Sequence, residues 1–543
     1  MRKLLLLLVA VMFTAGAAMA QFNLSHVYQL GVANDADVAQ VGMLNYSGVD
    51  QVGLYNGAWV DQYGIFNLSD IKQLGLGNMA GVWQMGLMNK SSILQMGAFN
   101  HAYVDQFGLL NYSSIVQGPF AFLNWANVSQ YGYKNISKVH QLFALGNSAL
   151  VHQIGELNHS FVDQAGLMNS AVVSQYGVLN FSHILQAALL SHAYVTQLGF
   201  YNKSDIAQIG TLGALAVVLQ DGKANLSHIK QMFGIGTTAE VYQFGKYNKA
   251  FIMQLGGLLN LAHIGQFGYK NMAGIMQKKG FLNTALIHQY GVRNYAKAIQ
   301  VYGAMNLADI TQYGYKNIAK TLQVDSYKSK AKVVQKGKLN HAFIDQIDVK
   351  KSSAKIMQKG FLNFADVSQR DGKKFDALVQ QKGAKNTAYI TQIYGKKDQA
   401  VVKQKGYRNW AAIDQIGTKY SSALIYQKGV RNWGFIGQFG TDDSFAMIDQ
   451  KGYANKALIF QWDQHGSYAN IDQFGKYNCA KIDQLFGGHN MADITQHGLG
   501  NVALTVQGGY GNVSNTMQIG YGHMDLTVQF GIGNTANVLQ TDF

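Results

Sequence analysis

The sequence has little cysteine, proline or charge, and each shortage narrows the class of protein. Of its 543 residues only one is proline and only one is cysteine. Because a disulfide needs two cysteines, a framework of intrachain disulfides is excluded. Charged residues make up only 13% while aromatic residues make up 12%, the reverse of the balance that keeps a chain disordered. A long chain of this kind must draw its stability from regular packing.

Residues 1–20 are typical of a secretory signal peptide. Basic residues precede an apolar run from Leu4 to Phe13, and residues 18–20, Ala-Met-Ala, form a small-x-small cleavage site. After this segment no apolar run reaches the roughly 18 residues that a transmembrane helix needs. We therefore expect a secreted protein with no transmembrane segment.

Glutamine recurs through the remaining sequence at intervals of mostly 11 or 12 residues, and 46 such glutamines run from Gln29 to Gln540. Between them lies the pattern Q-x-G-x-x-N-x-[A/S]-x-[V/I]-x. From Asn to Gly the patterned residues stand an even number of positions apart, so they share one face of a strand. The step of three from Gly to the next Asn breaks this alternation. Each segment is therefore predicted to be one strand of about eight residues and a tight turn.

The spacing also predicts how the strands assemble. From Gln231 to Gln507 the intervals alternate between 12 and 11 residues, which indicates a unit of two segments with two unequal turns. We predict an all-β fold: a β-solenoid of stacked two-strand rungs, parallel and cross-β-like, with 22–23 residues per rung and about 23 rungs. Residues 21–220 are predicted to form near-neutral to acidic 22-residue rungs, and residues 221–543 basic 23-residue rungs.

Buried amide side chains are costly unless they are paired, and identical amides stacked one strand apart can bond to one another along the axis. In the most regular segment we predict an inward amide ladder formed by Gln404, Gln427, Gln450, Gln473, Asn409, Asn432, Asn455 and Asn478. Turn glycines are predicted beside it at Gly406, Gly429, Gly452 and Gly475.

Lysine recurs at the outward position after the ladder glutamine, and this lysine column consists of Lys336, Lys359, Lys382, Lys405, Lys428 and Lys451. Arg408 and Arg431 lie in the adjacent turns. One interpretation is a strip that binds extracellular DNA or acidic polysaccharide. The other is a row of like charges that keeps the solenoid soluble and its faces apart.

Apolar pairs precede the turn asparagine in the N-terminal part, for example Met43-Leu44, Leu54-Tyr55 and Ile65-Phe66. If they are exposed at the edge of the solenoid, they favour lateral association or surface adhesion. If they fold back over the ends of the core, they have a structural role only. The sequence supports both interpretations equally.

No constellation typical of catalysis, of a cofactor or of a metal site emerges, and we do not expect an enzyme. Asp449 and Asp472 stand 23 residues apart on one predicted face, but Lys451 offers an ion-pair partner there. The 15 histidines, including His183 and His228, follow no recurring column.

These patterns resemble the curlin repeat, S-x5-Q-x-G-x-x-N-x-A-x3-Q, of the curli fibre subunits of Gram-negative bacteria. The segments Ser444–Gln461 and Ser467–Gln484 match it in full. The resemblance implies a secreted, cell-surface structural protein that forms or joins amyloid fibres of the biofilm matrix and mediates adhesion and aggregation. Its implied partners are further copies, other curlin-like subunits or a surface nucleator. The alternative is a discrete, non-polymerising solenoid adhesin that binds polyanions or polysaccharide.

Overall fold

The computed structural model describes residues 22–542. The predicted signal peptide, residues 1–20, lies outside the described residues. The chain divides into two compact units, Met1–Leu259 and Asn260–Phe543, which we call the N-terminal unit and the C-terminal unit. No helix of the length and hydropathy needed to cross a membrane occurs among residues 22–542.

Both units consist of strands joined by short turns. The strands of the N-terminal unit are β1 Leu24–Val32, β2 Asp35–Met43, β3 Tyr46–Leu54, β4 Gly57–Ile65, β5 Leu68–Leu76, β6 Met79–Leu87, β7 Lys90–Ala98, β8 His101–Leu109, β9 Tyr112–Phe122, β10 Trp125–Tyr133, β11 Ile136–Leu145, β12 Ser148–Glu156, β13 His159–Leu167, β14 Ser170–Val178, β15 Phe181–Leu189, β16 His192–Phe200, β17 Lys203–Leu212, β18 Leu215–Lys223, β19 Leu226–Met232, β20 Thr238–Lys246 and β21 Lys249–Leu255.

The C-terminal unit continues the same organisation. Its strands are β22 Leu261–Tyr269, β23 Met272–Lys278, β24 Thr284–Val292, β25 Tyr295–Val301, β26 Leu307–Tyr315, β27 Ile318–Val324, β28 Lys330–Lys338, β29 His341–Lys350, β30 Ser353–Phe361, β31 Phe364–Lys373, β32 Asp376–Ala384, β33 Thr387–Ile393, β34 Gln399–Tyr407, β35 Trp410–Ile416, β36 Ser422–Val430, β37 Trp433–Phe439, β38 Phe445–Tyr453, β39 Lys456–His465, β40 Tyr468–Lys476, β41 Cys479–Gly488, β42 Met491–Leu499, β43 Val502–Tyr510, β44 Val513–Tyr521, β45 Met524–Ile532 and β46 Thr535–Thr541.

Within each unit, every strand pairs in parallel with the strand two places away in the chain. In each unit the odd-numbered strands thus form one sheet, the odd sheet, and the even-numbered strands form the other, the even sheet. Equivalent residues lie side by side, as Gln29 does with Gln51 and Gln427 with Gln450. The predicted parallel β-solenoid of two-strand rungs is confirmed, and the 46 strands within residues 22–542 correspond to the predicted number of rungs.

The two turns of a rung differ in length, as the alternating intervals predict. In the C-terminal unit, β36 ends at Val430 and β37 begins at Trp433, so only two residues connect them. The return connection is longer, because β37 ends at Phe439 and β38 begins at Phe445. This second turn holds the extra residue of the 12-residue interval, and its Asp442 pairs in parallel with His465 of the next rung.

The core lies between the two sheets and is built from alternate residues of each strand. In β36, Ala423, Ile425 and Gln427 are buried, whereas the residues between them point outward and are partly exposed. The small alanine allows the two sheets to lie close together, and isoleucine or valine supplies the apolar surface that is buried between them. The glutamine is the next buried residue along the strand. Because more than half of the buried side chains within residues 22–542 are polar, the hydrogen bonds of those side chains decide whether this core is stable.

Candidate functional site

The buried glutamines form a continuous row of hydrogen bonds, which we call the glutamine ladder. Gln404 donates from Nε2 to Oε1 of Gln427, Gln427 to Gln450, and Gln450 to Gln473, at 2.9, 2.8 and 2.8 Å. The second Nε2 hydrogen of Gln427 reaches the backbone carbonyl of Trp410 across the core, at 2.8 Å. Each interior amide therefore has partners for both donors and its acceptor, which removes the penalty for burying it.

The turn asparagines form a second row, the asparagine ladder, which consists of Asn409, Asn432, Asn455 and Asn478. The backbone N–H and the Nδ2 of Asn432 both donate to Oδ1 of Asn409, at 3.1 Å each. The same Nδ2 donates to the carbonyl of Gly452 in the following rung, at 3.2 Å. One asparagine therefore joins three consecutive rungs at the turn.

The four glycines predicted in the turns lie within the strands, one residue before each strand ends. Their φ angles are between 127° and 134°, a region that residues with side chains rarely adopt. A Cβ added at Gly429 would collide with the carbonyl oxygen of Gly452, and one added at Gly452 with that of Gly475. Glycine is required at these positions because successive rungs approach too closely for a side chain.

The structure places the six residues of the lysine column side by side on consecutive strands of the even sheet. Lys336 lies beside Lys359, and the pairing continues in order to Lys451. Neighbouring strands in a sheet are about 4.8 Å apart, so the column carries one positive charge per strand spacing. Five of the six side chains are exposed, and Lys451 is half-buried.

The two ends of the lysine column have partners. Lys336 lies over the ring of Tyr313, 5.3 Å from its centroid. Lys451 donates to Oδ2 of Asp449 at 2.7 Å, and this hydrogen bond raises the pKa of Lys451. Among residues 22–542 no acidic side chain pairs with the lysines between them, namely Lys359, Lys382, Lys405 and Lys428.

Arginine and aromatic side chains line the tight-turn edge beside the column. Arg408 lies over the ring of Tyr407 at 5.0 Å, and Arg431 donates from Nη1 to the hydroxyl of Tyr453 at 2.9 Å. On the adjoining odd sheet, Trp410 and Trp433 stack with centroids 4.9 Å apart. The predicted neighbourhood of basic and aromatic residues is present at this edge.

The two aspartates Asp449 and Asp472, which the sequence places on one face, have a structural environment that includes an ion pair. Asp449 and Asp472 are neighbours on adjacent strands, and the ion pair with Lys451 neutralises the first of them. Burial raises the pKa of Asp472. Among residues 22–542, no group of three or more ligating side chains could hold a metal ion.

One charged cluster escaped the sequence analysis, which treated the histidines as scattered. On the odd sheet of the N-terminal unit, histidines and aspartates alternate across five consecutive strands, with contacts of 2.8 to 3.3 Å. This His–Asp chain consists of His140, Asp163, His183, Asp205 and His228. Its hydrogen bonds lower the pKa of both aspartates and raise that of His183 to about 9. The sequence signal was the 23-residue spacing within two of its pairs, His140 with Asp163 and Asp205 with His228.

A family model for the curlin associated repeat matches the chain at four places, residues 31–64, 146–177, 283–314 and 465–498. The chain therefore contains curlin repeats. The four matches fall in both units of the chain, where the glutamine and asparagine positions of the repeat form the ladders described above. A search of the curated proteins found no match to the chain.

Proposed function

We propose that this protein is secreted and assembles end to end into curli-like fibres at the cell surface, where it has a structural and adhesive function. The repeats and the two-sheet solenoid fit a structural or adhesive protein of that type. The observation that carries the proposal is a pair of open strand edges whose unused hydrogen-bonding groups are complementary.

The N-terminal unit presents the acceptor edge. Within residues 22–542, β1 pairs only with β3, and all nine residues of β1 are exposed. Gln29 donates to Gln51, and Gln40 to Gln62, at 2.7 Å each. No described residue donates to Oε1 of Gln29 or Gln40, so both acceptors are available to another chain.

The C-terminal unit presents the donor edge. Gln529 and Gln540 donate one Nε2 hydrogen each to a backbone carbonyl, at 3.0 and 2.9 Å, and neither has a further glutamine to bind among residues 22–542. If β1 and β2 of a second copy stacked on β45 and β46, Gln529 would donate to Gln29 and Gln540 to Gln40. A contact between two different surfaces of this kind repeats without closing and produces a filament.

A second candidate function, the discrete solenoid adhesin, is favoured by the polarity of the donor edge. Thr505, Thr516 and Thr527 stand where the core elsewhere has isoleucine or valine, and Asp525 pairs with Ala503 at an alanine position. Polar terminal repeats are typical of capped, non-polymerising solenoids. In the proposed fibre contact, Asp525 would instead face Ser25, whose hydroxyl can donate to the carboxylate.

The decisive experiment follows assembly of purified residues 21–543 by thioflavin fluorescence, electron microscopy and fibre diffraction. We expect filaments with a reflection at about 4.7–4.8 Å along the fibre axis. Val27→Lys places a charge on the inward face of β1 and should abolish assembly, whereas Tyr28→Lys on the outward face should not. A chain that stays monomeric without binding the dye would exclude fibre formation and favour the discrete adhesin.

A further inference from the structure

The lysine column lies on a surface whose positive charge is largely unbalanced. The five strands β28, β30, β32, β34 and β36 together carry ten lysines and one aspartate, Asp376. Asp376 is the first residue of β32 and therefore stands at the far end of the strand from Lys382. Like charges stacked in adjacent strands repel one another, so this arrangement destabilises the unit unless an anion lies along it.

A groove runs beside one end of the column. It has a volume of about 480 Å³, its floor is formed by glycine backbone, and Lys428 and Lys451 form one wall. Tyr453 and Lys476 lie on the opposite side, and Phe474 lies beside Lys451 where the column ends. The groove therefore combines ammonium groups with aromatic rings along one line, a combination suited to a ligand that is both anionic and partly apolar.

The strand residue that follows each glycine alternates along the column. It is aromatic at Phe361, Tyr407 and Tyr453, in every second strand of the even sheet, and small or aliphatic at Ala384 and Val430 between them. One charge per strand thus accompanies one ring per two strands. An extended polysaccharide ribbon with two-fold symmetry has the same periodicity, because it turns the same sugar face outward at every second residue.

We infer that the lysine column binds a linear polyuronate, an acidic polysaccharide with one carboxylate on each sugar, laid along the solenoid axis. The carboxylates of alternate sugars would accept charge-assisted hydrogen bonds from lysines of the column, and alternate sugar rings would lie against Phe361, Tyr407 and Tyr453. The inference goes beyond the proposed fibre function and does not rest on it, since the whole column belongs to one copy of the chain.

Nucleic acids fit this surface less well. In duplex DNA the phosphates of one strand follow at about 3.4 Å along the axis and wind around it, so they fall out of step with a straight column of lysines about 4.8 Å apart. Single-stranded nucleic acid is bound by aromatic side chains on which successive bases stack, whereas here only alternate strands supply a ring.

The test is calorimetric titration of purified residues 21–543 with oligogalacturonates of increasing length, at fixed ionic strength. We expect the affinity to rise with length up to about six sugars, which is about the length needed to span the six strands of the column. Fully methyl-esterified oligomers keep the sugar chain without its charge and should not bind. Sedimentation of the same samples reports fibre assembly separately, so a failure to bind is distinguishable from a failure to assemble.

Two matched triple variants locate the site. Lys359→Gln with Lys382→Gln and Lys405→Gln removes the centre of the column and should weaken binding by at least about tenfold. The control removes the same charge from neighbouring positions of the even sheet, at Lys330, Lys355 and Lys403, and should weaken binding by about threefold at most. Equal losses in both variants, equal binding of the methyl ester, or tighter binding of duplex or single-stranded DNA would each overturn the inference.

Discussion

The two units carry different surface side chains on the same arrangement of paired strands, inward ladders and strand-end glycines, which we call the shared frame. On the even sheet of the N-terminal unit, the position after the ladder glutamine holds aromatic residues at Tyr63, Phe107, Tyr131 and Tyr176 and apolar residues at Met85 and Ile154. In the C-terminal unit this position is still aromatic at Tyr290 and Tyr313, and from Lys336 to Lys451 it is occupied by the lysine column. Because neither set of side chains contributes to the core, the surface can change from aromatic to cationic without changing the ladders.

The tight turns show the same contrast. The last residue before the turn asparagine has positive φ in both units, yet it is aromatic at, for example, Tyr55 and Phe66 in the N-terminal unit and basic at, for example, Arg408 and Arg431 in the C-terminal unit. Tyr55 is 64% exposed and Phe66 47%, so these rings do not fold back over the core. We therefore expect the N-terminal unit to associate laterally through its apolar edge, and the C-terminal unit to bind anions.

If the frame is shared, glycine substitutions should have the same large effect in both units. Gly452→Ala and Gly53→Ala each add a Cβ that collides with the next rung, at φ 134° and 129°. We expect each to lower the free energy of unfolding by about 4 kcal/mol, measured by chemical denaturation.

The controls for the glycine substitutions are Gly274→Ala and Gly57→Ala, where an added Cβ meets nothing within 4 Å. Both should leave the free energy of unfolding within about 0.5 kcal/mol of the parent protein. A large loss in one unit only would mean that the two units do not share a frame.

Removing one amide from the glutamine ladder should cost about 3 kcal/mol in either unit. Gln427→Leu leaves Gln404 without its acceptor and Gln450 without its donor. Gln153→Leu does the same in the N-terminal unit, between Gln130 and Gln175. The outward Gln380→Leu is the matched control and should be near neutral. If Gln427→Leu, Gln153→Leu and Gln380→Leu had the same denaturation profile, the hydrogen bonds of the ladder would not be a source of stability.

A buried carboxylate should give the C-terminal unit a pH dependence of its own. Asp398 occupies a turn position held elsewhere by asparagine or serine, its Oδ2 is buried without a donor, and burial raises its pKa to about 6. The pKa of Asp398 is higher in the folded protein than in the unfolded one. The contribution of this carboxyl group to folding stability is therefore fully present below pH ~4 and is lost as the pH rises through about 6.

Asp398→Asn should therefore stabilise the unit at pH 7 by about 2 kcal/mol and abolish this pH dependence. Stability would be measured by denaturation at a series of pH values. The exposed turn substitution Asp443→Asn should change neither quantity. If Asp398→Asn were less stable than the parent protein at neutral pH, the conclusion that burial of Asp398 raises its pKa and destabilises the unit would be refuted.

The His–Asp chain should act in a higher pH window in the N-terminal unit. Because His183 has a folded pKa of about 9, its contribution is fully present below pH ~6.5 and is lost as the pH rises through about 9. His183→Gln should cost about 1 kcal/mol at pH 6, since solvent screens this half-buried cluster, and almost nothing at pH 10.

Hydrogen exchange in β13, β15 and β17 measures this local loss of stability. His101→Gln is the control, because His101 has no acidic partner among residues 22–542. A His183→Gln effect that does not change with pH would show that the imidazole contributes by packing and not by its charge.

The repeat predicts most of this fold, because the even spacing of its residues determines which face of a strand points inward and its period determines which strands pair. The even spacing from Asn432 to Gly440 assigns the inward face, and the alternating 11- and 12-residue intervals assign the two turns. The lysine column follows from the same period. The contact of His183 with Asp163 does not, because these two residues lie 20 residues apart on diagonal rather than directly paired positions. A repeat analysis compares residues within one column and therefore overlooks such pairs.

Disulfide trapping between neighbouring rungs tests the stacking most directly. In a Cys479→Ser background, Lys405→Cys and Lys428→Cys lie on paired strands, with Cα atoms about 4.8 Å apart, and should cross-link rapidly on mild oxidation. Lys405→Cys with Ile416→Cys is closer in sequence but lies on opposite sheets, and should not cross-link within one molecule. Preferential cross-linking of the second pair would contradict the stacked two-strand rung.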